Sequence, residues 1–212
     1  LSPITLEIPK PLLPVQKKPI INYLVDLFLK HGVSEICVSI NRSHAADFLD
    51  WKQRYYPSLD IHFVIEPEAL GTFGGVYMAK DWLGNEPFFV TNGDELKDIN
   101  LRAMKASHEA HKPTATVALV EVDEPQHYGV AICEGDKIKQ FVEKPQNPPS
   151  RYISSGLYLF EPEVFSYFPH AEPKFSMVEL DLFPKLSQEG NLHGFKFSGK
   201  WMDCGTFARW EQ

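Results

Sequence analysis

Two aspartates and a lysine occupy positions where their charges could do chemistry. The run Phe88-Phe89-Val90-Thr91-Asn92-Gly93-Asp94 is apolar and strand-like, and it ends in a turn that delivers the carboxylate of Asp94. Ligands of an open α/β sheet collect beyond the carboxyl ends of its strands, so Asp94 is a candidate ligand for a metal or a substrate. The competing reading is that Asn92-Gly93 is a plain turn and Asp94 only completes it. Asp203 is a second carboxylate of the same kind, where the extended run Trp201-Met202-Asp203 turns at Gly205. Lys10 stands between Pro9 and Pro11, whose restricted torsions could aim one ammonium at low entropic cost, or could simply make a stiff connector. Gly71, Gly74 and Gly75 follow a strand-like run and precede a helix-like one. That layout turns backbone N–H groups toward a ligand, or merely opens a helix flexibly. It is neither the P-loop nor the dinucleotide fingerprint, since both spacings are missing.

Composition narrows the chemistry. With 43% hydrophobic and 23% charged residues in 212, the chain can bury one good core, or one core with an added lobe, and a single domain over 1–212 is expected. The net charge of -7 with no Lys/Arg cluster speaks against a nucleic-acid partner, so an anionic ligand would be held locally. No apolar run reaches the roughly 20 residues of a membrane span, and no signal-peptide layout opens the chain, so no membrane partner and a cytoplasmic location are expected. Homo-oligomerisation stays open. Cys37, Cys133 and Cys204 lack zinc-site spacing and read as reduced, buried thiols.

The elements that must carry these residues follow from periodicity. Four prolines in 1–15 predict an extended loop rather than a helix or a central strand. Helices are expected over 19–31, with Ile20, Leu24, Leu27 and Phe28 inward, and over 44–55, with Phe48, Leu49 and Trp51 inward. Strands are expected at 36–40 and 61–65, so this part reads as parallel βαβ units. After the glycine-bearing turn come a helix over 76–83, the strand leading to Asp94 and a helix over 101–111. On that last helix His108 and His111 share a face that reads as solvated. Strand-like runs at 115–122, 128–133 and 137–142 predict a meander or an antiparallel extension, and 153–160 is a further strand with Ser154, Ser155 and Gly156 inside it. Short helices at 163–168 and 178–187, a strand at 192–197 and a helix beyond Gly205 complete the reading, with Leu180, Phe183 and Leu186 on an apolar face.

In this order the pieces resemble the sugar-1-phosphate nucleotidyltransferases, of the mannose-1-phosphate guanylyltransferase and glucose-1-phosphate thymidylyltransferase kind. The matching motifs are Pro9-Lys10-Pro11, Leu70-Gly71-Thr72-Phe73-Gly74, Asn92-Gly93-Asp94, Glu143-Lys144-Pro145, Ser155-Gly156-Leu157-Tyr158 and Trp201-Met202-Asp203-Cys204-Gly205-Thr206. Each is short, but six in the right order span nearly the whole chain. The resemblance implies a Rossmann-like three-layer α/β/α nucleotide-diphospho-sugar transferase fold, with a mostly parallel central sheet and an antiparallel sugar-binding extension.

The resemblance also implies an activity: a nucleoside triphosphate and a sugar 1-phosphate would give an NDP-sugar and pyrophosphate. It implies Mg²⁺ as cofactor, held by Asp94 and Asp203, with Lys10 against the triphosphate as the third catalytic residue. Leu70, Gly71, Thr72 and Gly93 would bind the nucleotide. Glu143 would accept sugar hydroxyls and Lys144 would pair with the sugar phosphate. Tyr128, Gly129, Ser155 and Gly156 complete the implied substrate set.

The sequence departs from the family in three places. Ser154 replaces an Asn that in many relatives touches the sugar, and Phe73 stands where a small residue is common and is expected to narrow the base pocket. In relatives a buried strand and a glycine-rich loop with an Arg precede the position of Leu1, so the chain is expected to be incomplete at its N-terminus. The Thr72 form of the loop points toward mannose or heptose 1-phosphate guanylyltransferases. A uridylyl- or thymidylyltransferase for another sugar is the alternative within the family. A noncatalytic NDP-sugar-binding regulatory module is the alternative outside it, and retention of Lys10, Asp94 and Asp203 together argues against that one.

Overall fold

The structure is a computed structural model and describes residues 8–206. In chain order it begins with β1 (Pro14–Val15), β2 (Lys18–Pro19), α1 (Ile20–Lys30), β3 (Ile36–Asn41), α2 (Ala45–Tyr55) and β4 (Ile61–Glu66). Then come α3 (Gly71–Met78), α4 (Lys80–Leu83), β5 (Phe88–Thr91), β6 (Glu95–Lys97), α5 (Leu101–His111) and β7 (Ala115–Glu121). The remainder is β8 (Gly129–Glu134), β9 (Lys137–Glu143), β10 (Tyr152–Phe160), α6 (Phe183–Glu189), β11 (Leu192–Lys196) and β12 (Trp201–Asp203). The class is α/β, as the periodicities imply. The helix expected beyond Gly205 lies outside the described residues, as do the first residues of the proline-rich opening.

The chain folds as two compact units. One takes in the described residues up to Ala69 together with Asn92–Ile99 and the chain from Gly199 on. Its βαβ core pairs β3 with β4 in parallel, from Ile36 opposite Ile61 to Asn41 opposite Glu66, with α2 as the crossover. Ile21, Val25, Ile36, Ile40, Phe48, Trp51 and Ile61 pack into one cluster. The indole N–H of buried Trp51 donates to Asn22 Oδ1 at 2.7 Å, so α1 and α2 are joined by a bond as well as by apolar contact. Leu49, expected to face inward, is 55% exposed, because Phe48 and Trp51 already fill the inner stripe of α2.

The proline-rich opening contains more local structure than an extended loop. Lys10–Leu12 form one 3₁₀ turn, closed by Leu13 N–H to the Lys10 carbonyl at 3.0 Å. The proline at its second position is tolerated because a first-turn residue needs no N–H. Strands β1 and β2 then pair as a tight hairpin whose turn residues, Gln16 and Lys17, both have positive φ. No Asn-Gly pair marks that turn in the sequence.

The other unit is Leu70–Thr91 with Asn100–Ser198. Its six-stranded sheet runs β5-β10-β7-β11-β9-β8 and is mixed: β7 and β11 are parallel and the other ladder partners are antiparallel. Residues 115–142 are therefore not a simple meander. Strand β7 lies between β10 and β11, and its run from Ala115 to Val120 is buried without alternation, as befits a strand covered on both faces. Phe73, Phe88, Leu119, Phe141, Tyr158, Phe160, Phe183 and Leu186 belong to its core.

Three expectations change here. His108 is 1% exposed rather than solvated, and its ring bonds Thr116 Oγ1 at 2.7 Å and Glu161 Oε1 at 3.0 Å. Leu180 is 60% exposed because Val178–Leu182 form a π-helical turn, whose wider winding takes position 180 out of phase with Phe183 and Leu186. The helix expected from Val76 starts five residues earlier, at Gly71, so the glycine-bearing turn is itself helical.

That last change alters the role of the glycines. The N–H groups of Phe73 and Gly74 both donate to the Ser176 carbonyl, at 2.9 and 3.2 Å, and Ser176 N–H donates back to the Leu70 carbonyl. A Cβ on Gly71 would lie 2.6 Å from that same Ser176 oxygen, and one on Gly74 would land on the Lys174 carbonyl oxygen. These two glycines admit the chain's own 174–177 segment. Gly74→Ala should therefore destabilise the protein by about 1–3 kcal/mol with no ligand present. Urea unfolding checks this, and an unchanged midpoint would show that the backbone yields there freely.

Candidate active-site clusters

In the first unit, Lys10, Asp94 and Asp203 are brought together by one short ladder. Strands β6 and β12 pair antiparallel, with Trp201 opposite Lys97, Met202 opposite Leu96 and Asp203 opposite Glu95. The ladder is extended by Cys204 N–H donating to the Asp94 carbonyl at 3.2 Å, so the two aspartates emerge at the same end of it. Asp203 is steadied by its own turn, where Oδ1 accepts from Gly205 N–H at 2.6 Å. A Cβ on Gly205 would sit 2.7 Å from that oxygen, so the glycine is what lets the carboxylate fold back.

Lys10 reaches this end from the 3₁₀ turn. Its Nζ lies 3.6 Å from Asp94 Oδ2, with both side chains partly open to solvent. Pro11 rests against Gly93, where an added Cβ would come within 2.9 Å of the proline ring. Beneath the turn, Leu13, Ile20 and Cys204 form a small buried cluster with Val15 and Leu96. Gly93 thus provides the flat surface on which the proline-lysine turn is seated.

The ladder carries a second, buried charge pair. Lys97 Nζ, with its side chain fully buried, lies 3.2 Å from Glu95 Oε2. The Glu95 carboxylate also accepts from Asn92 Nδ2 at 3.0 Å and from Trp201 Nε1 at 2.9 Å. Burial pushes the Glu95 carboxyl up, while Lys97, Asn92 and Trp201 pull it down. Nearby, burial and then the negative field of Asp203, Asp94 and Glu95 raise the Cys204 thiol to about 11. Cys37 is likewise pushed to about 11 by burial.

Two carboxylates at one strand end suit a Mg²⁺ ion, which takes one or two carboxylates and fills its octahedron with water and phosphate oxygens. Among the described residues no group of three or more His, Cys, Asp or Glu side chains forms a complete protein cage. The hard oxygen donors and the adjacent Lys10 therefore fit a metal shared with an anionic ligand better than a structural metal.

The second unit holds the remaining residues. Leu70 is 2% exposed, so its contribution beyond packing is through its backbone. Phe73, expected beside the base, is fully buried in the core, edge-on to Phe168 with centroids 5.1 Å apart. Thr72 Oγ1 accepts from Val178 N–H at 3.0 Å and donates to Glu179 Oε2 at 2.9 Å.

On the β8–β9 hairpin, Gly129 pairs with Glu143. A Cβ there would meet the Phe141 ring and come within 2.9 Å of Glu143 Oε2, so the glycine leaves room for that carboxylate. Tyr128 contributes its carbonyl, which accepts from Lys144 N–H at 3.0 Å and holds Lys144 in a left-handed conformation at φ +45°. A non-glycine residue pinned there is a strained feature of the kind that collects at functional sites. Lys144 Nζ then lies 3.2 Å from Glu143 Oε1.

Strand β10 shifts register against β7 between Ser154 and Tyr158, and Gly156 occupies the shift with φ +63°. Ser155 is fully buried and its hydroxyl donates to the Ala118 carbonyl at 2.9 Å, so it anchors the bulge. Ser154 Oγ accepts from Gly156 N–H at 3.2 Å. Glu179 is the residue that sequence reasoning missed. It lies outside the six motifs, in a segment read only as helix, and the single hint was an acid within an apolar run.

The family model described as nucleotidyl transferase matches residues 1–211. Mannose-1-phosphate guanyltransferase beta-B of Xenopus laevis is 35% identical over 97% of this chain and 58% of its own length. The mannose-1-phosphate guanyltransferase of Saccharomyces cerevisiae is 34% identical with the same coverage. The chain thus spans a little over half the length of these relatives. Among solved structures, a Bacillus anthracis protein assigned as a glucose-1-phosphate thymidylyltransferase, in complex with a sucrose, superposes with a TM-score of 0.90 at 27% identity, covering 100% of this chain and 87% of the other. HddC from Yersinia pseudotuberculosis, complexed with GMP-PN, gives 0.83 at 26% identity, covering 100% and 91%. The expected nucleotide-diphospho-sugar transferase fold is the observed one.

The Glu95 network makes a test of the ladder. Trp201→Phe removes one N–H donor from a buried carboxylate, and the loss should be about 1–3 kcal/mol of stability. Chemical denaturation measures it. An unchanged unfolding free energy would mean that the indole does not support the strand end carrying Asp94.

Proposed function

Because the chain belongs to the nucleotidyl transferase family, we propose that it joins a nucleoside triphosphate to a sugar 1-phosphate, giving an NDP-sugar and pyrophosphate. The observation that carries the reading is the β6–β12 ladder, which delivers Asp94 and Asp203 at one end with Lys10 3.6 Å from Asp94. Guanine as the base and mannose as the sugar are supported by the names of the relatives at 34–35% identity, and guanine also by the GMP-PN complex of HddC, while a heptose stays open from the Thr72 form of the loop. A thymidylyl specificity, favoured by the likeness to the Bacillus anthracis structure, or a uridylyl one is the competing choice within the family. A cytoplasmic location and the option of a homo-oligomer belong to the same proposal.

The chemistry required is in-line displacement. An oxygen of the sugar phosphate attacks the α-phosphorus, and the bond from that phosphorus to the pyrophosphate oxygen breaks. A Mg²⁺ held by Asp94 and Asp203 would supply positive charge against the phosphate oxygens. Lys10 adds a compact ammonium toward the triphosphate, held by its proline-flanked turn. Backbone groups of Leu70, Gly71 and Thr72 would lie along the base, with Gly93 beside the phosphates. Glu143 accepts hydrogen bonds from sugar hydroxyls, and Lys144 meets the sugar phosphate. Tyr128 and Gly129 act through those two residues by fixing their backbone and making room for the carboxylate. Gly156 leaves space for the sugar ring, and Ser155 holds the bulge that creates that space. A noncatalytic binding module would not require both carboxylates.

Pyrophosphate release by the full-length protein, assayed with Mg²⁺ over a panel of triphosphates and sugar 1-phosphates, tests the reading. Absence of turnover with every pair would sink it. Asp94→Ala and Asp203→Ala should each lower turnover by roughly 100-fold or more while the fold survives, and EDTA should abolish activity in a manner that Mg²⁺ restores. Lys144→Ala should mainly raise the KM for the sugar phosphate. An unchanged KM would remove Lys144 from the sugar site.

A further inference from the structure

The candidate nucleotide and sugar residues of the second unit are joined by a single hydrogen-bonded chain, and Glu179 is its junction. Thr72 Oγ1 donates to Glu179 Oε2 at 2.9 Å, and the Tyr158 hydroxyl donates to Glu179 Oε1 at 3.1 Å. Tyr158 OH in turn accepts from Ser154 Oγ at 3.4 Å, and Ser154 Oγ accepts from Gly156 N–H at 3.2 Å. The chain runs from the start of α3, on the base side of the proposed reaction, to the bulge of β10, on the sugar side.

Two hydroxyl protons meet at the Glu179 side chain. Thr72 Oγ1 accepts from Val178 N–H, and of the two acceptors open to its proton Glu179 Oε2, at 2.9 Å, is much nearer than Met177 Sδ, at 3.9 Å. Tyr158 OH already accepts from Ser154, so its proton is directed there too. Two donors converging from opposite sides need two acceptor oxygens on one side chain, which an ionised Glu has and a Gln lacks. The position is not chosen for ease of ionisation. Burial pushes the Glu179 carboxyl up and the nearby Glu143 pushes it the same way, against hydrogen bonds from its own backbone N–H, from Thr72 and from Tyr158. An acidic side chain here, in a segment whose backbone also bonds the start of α3 through Ser176, offers one oxygen to each of the two hydroxyls.

We infer that Glu179 is a positioning residue that sets the spacing between the base-binding start of α3 and the sugar-binding bulge of β10, so that recognition of the nucleotide and of the sugar phosphate are coupled through it. The inference rests on the proposed reaction and deepens it. It differs from a structural role in one respect: a change on the sugar strand must be felt by the nucleotide.

Steady-state kinetics of the full-length protein, with both substrates varied, supply the test. Tyr158→Phe deletes only the hydroxyl that reaches Glu179, and should raise the KM for the triphosphate as well as for the sugar phosphate, each on the order of threefold or more. Glu179→Gln should raise both further, with kcat reduced less than the KM values rise. In the Glu179→Gln background Tyr158→Phe should add little, because the shared link is already broken. Effects of Tyr158→Phe confined to the sugar phosphate, or multiplying independently with those of Glu179→Gln, would overturn the coupling while leaving the reaction standing. Wild-type protein without turnover on any substrate pair would remove the reaction and this inference together. Glu179→Ala is the harsher variant and enters only if its far-UV spectrum matches wild type, since the two isosteric changes carry the test alone.

Discussion

Three residues pairing with three others hold the acidic end of the first unit together. Glu95–Lys97 and Trp201–Asp203 are separated by more than a hundred residues of chain, yet their ladder is what turns two distant aspartates into neighbours. So short a ladder is weak by itself, since a two-stranded pair is marginal in water without packing or a third strand. Here it is reinforced from within. The buried Lys97–Glu95 pair and the Trp201 indole tie the strands side chain to side chain, and Leu13, Ile20 and Cys204 give them an apolar floor. Breaking one member of a buried ion pair costs more than the intact pair contributes, so this reinforcement acts more as a lock on register than as a source of stability. Register is what matters, because a slip by one residue would send Asp203 to the opposite face.

The second unit meets a similar demand by different means. Its glycine-started helix α3 is held by the Ser176 carbonyl, which accepts from two N–H groups at once, and by the reciprocal Ser176–Leu70 bond. Close backbone approach at Gly71 and Gly74 is spent on this docking. The helix start is therefore oriented by a segment a hundred residues away that leads into a π-helical turn, and Glu179 on that turn reaches both Thr72 and Tyr158. Local conformation and side-chain hydrogen bonding converge on the same few residues.

Much of this was legible in the order of residues, and the exceptions have physical causes. Helix α5, the βαβ core and the strands from β7 to β10 follow from apolar period and turn chemistry, since a 3.6- or 2-residue repeat reports burial directly. Lys10, Asp94 and Asp203 could be singled out because charge type and motif order are visible in sequence. What could not be read were features that depend on a distant partner. Gly71 looks like a ligand-facing glycine until Ser176 is placed against it. His108 looks like a surface residue until Thr116 and Glu161 take both of its nitrogens. Leu180 fails because the π turn breaks the period on which its assignment relied. The Gln16-Lys17 turn carries none of the residues that usually announce positive φ. Glu179 stayed hidden for the same reason as the glycines, since both of its hydroxyl partners come from other parts of the chain.

The first unit is discontinuous, interrupted twice by the sequence of the second. That arrangement has a consequence in time. A ribosome adds about 5–20 residues each second, so once Asp94 has been made, roughly 5–20 seconds pass before Asp203 exists at all. During that interval the longer piece of the second unit, Asn100–Ser198, is synthesised, and β6 has no β12 to pair with. Until then Asp94 and Lys10 are present in the chain without the second carboxylate. The acidic pair is completed only when the strand carrying Asp203 emerges, more than a hundred residues after the strand it pairs with.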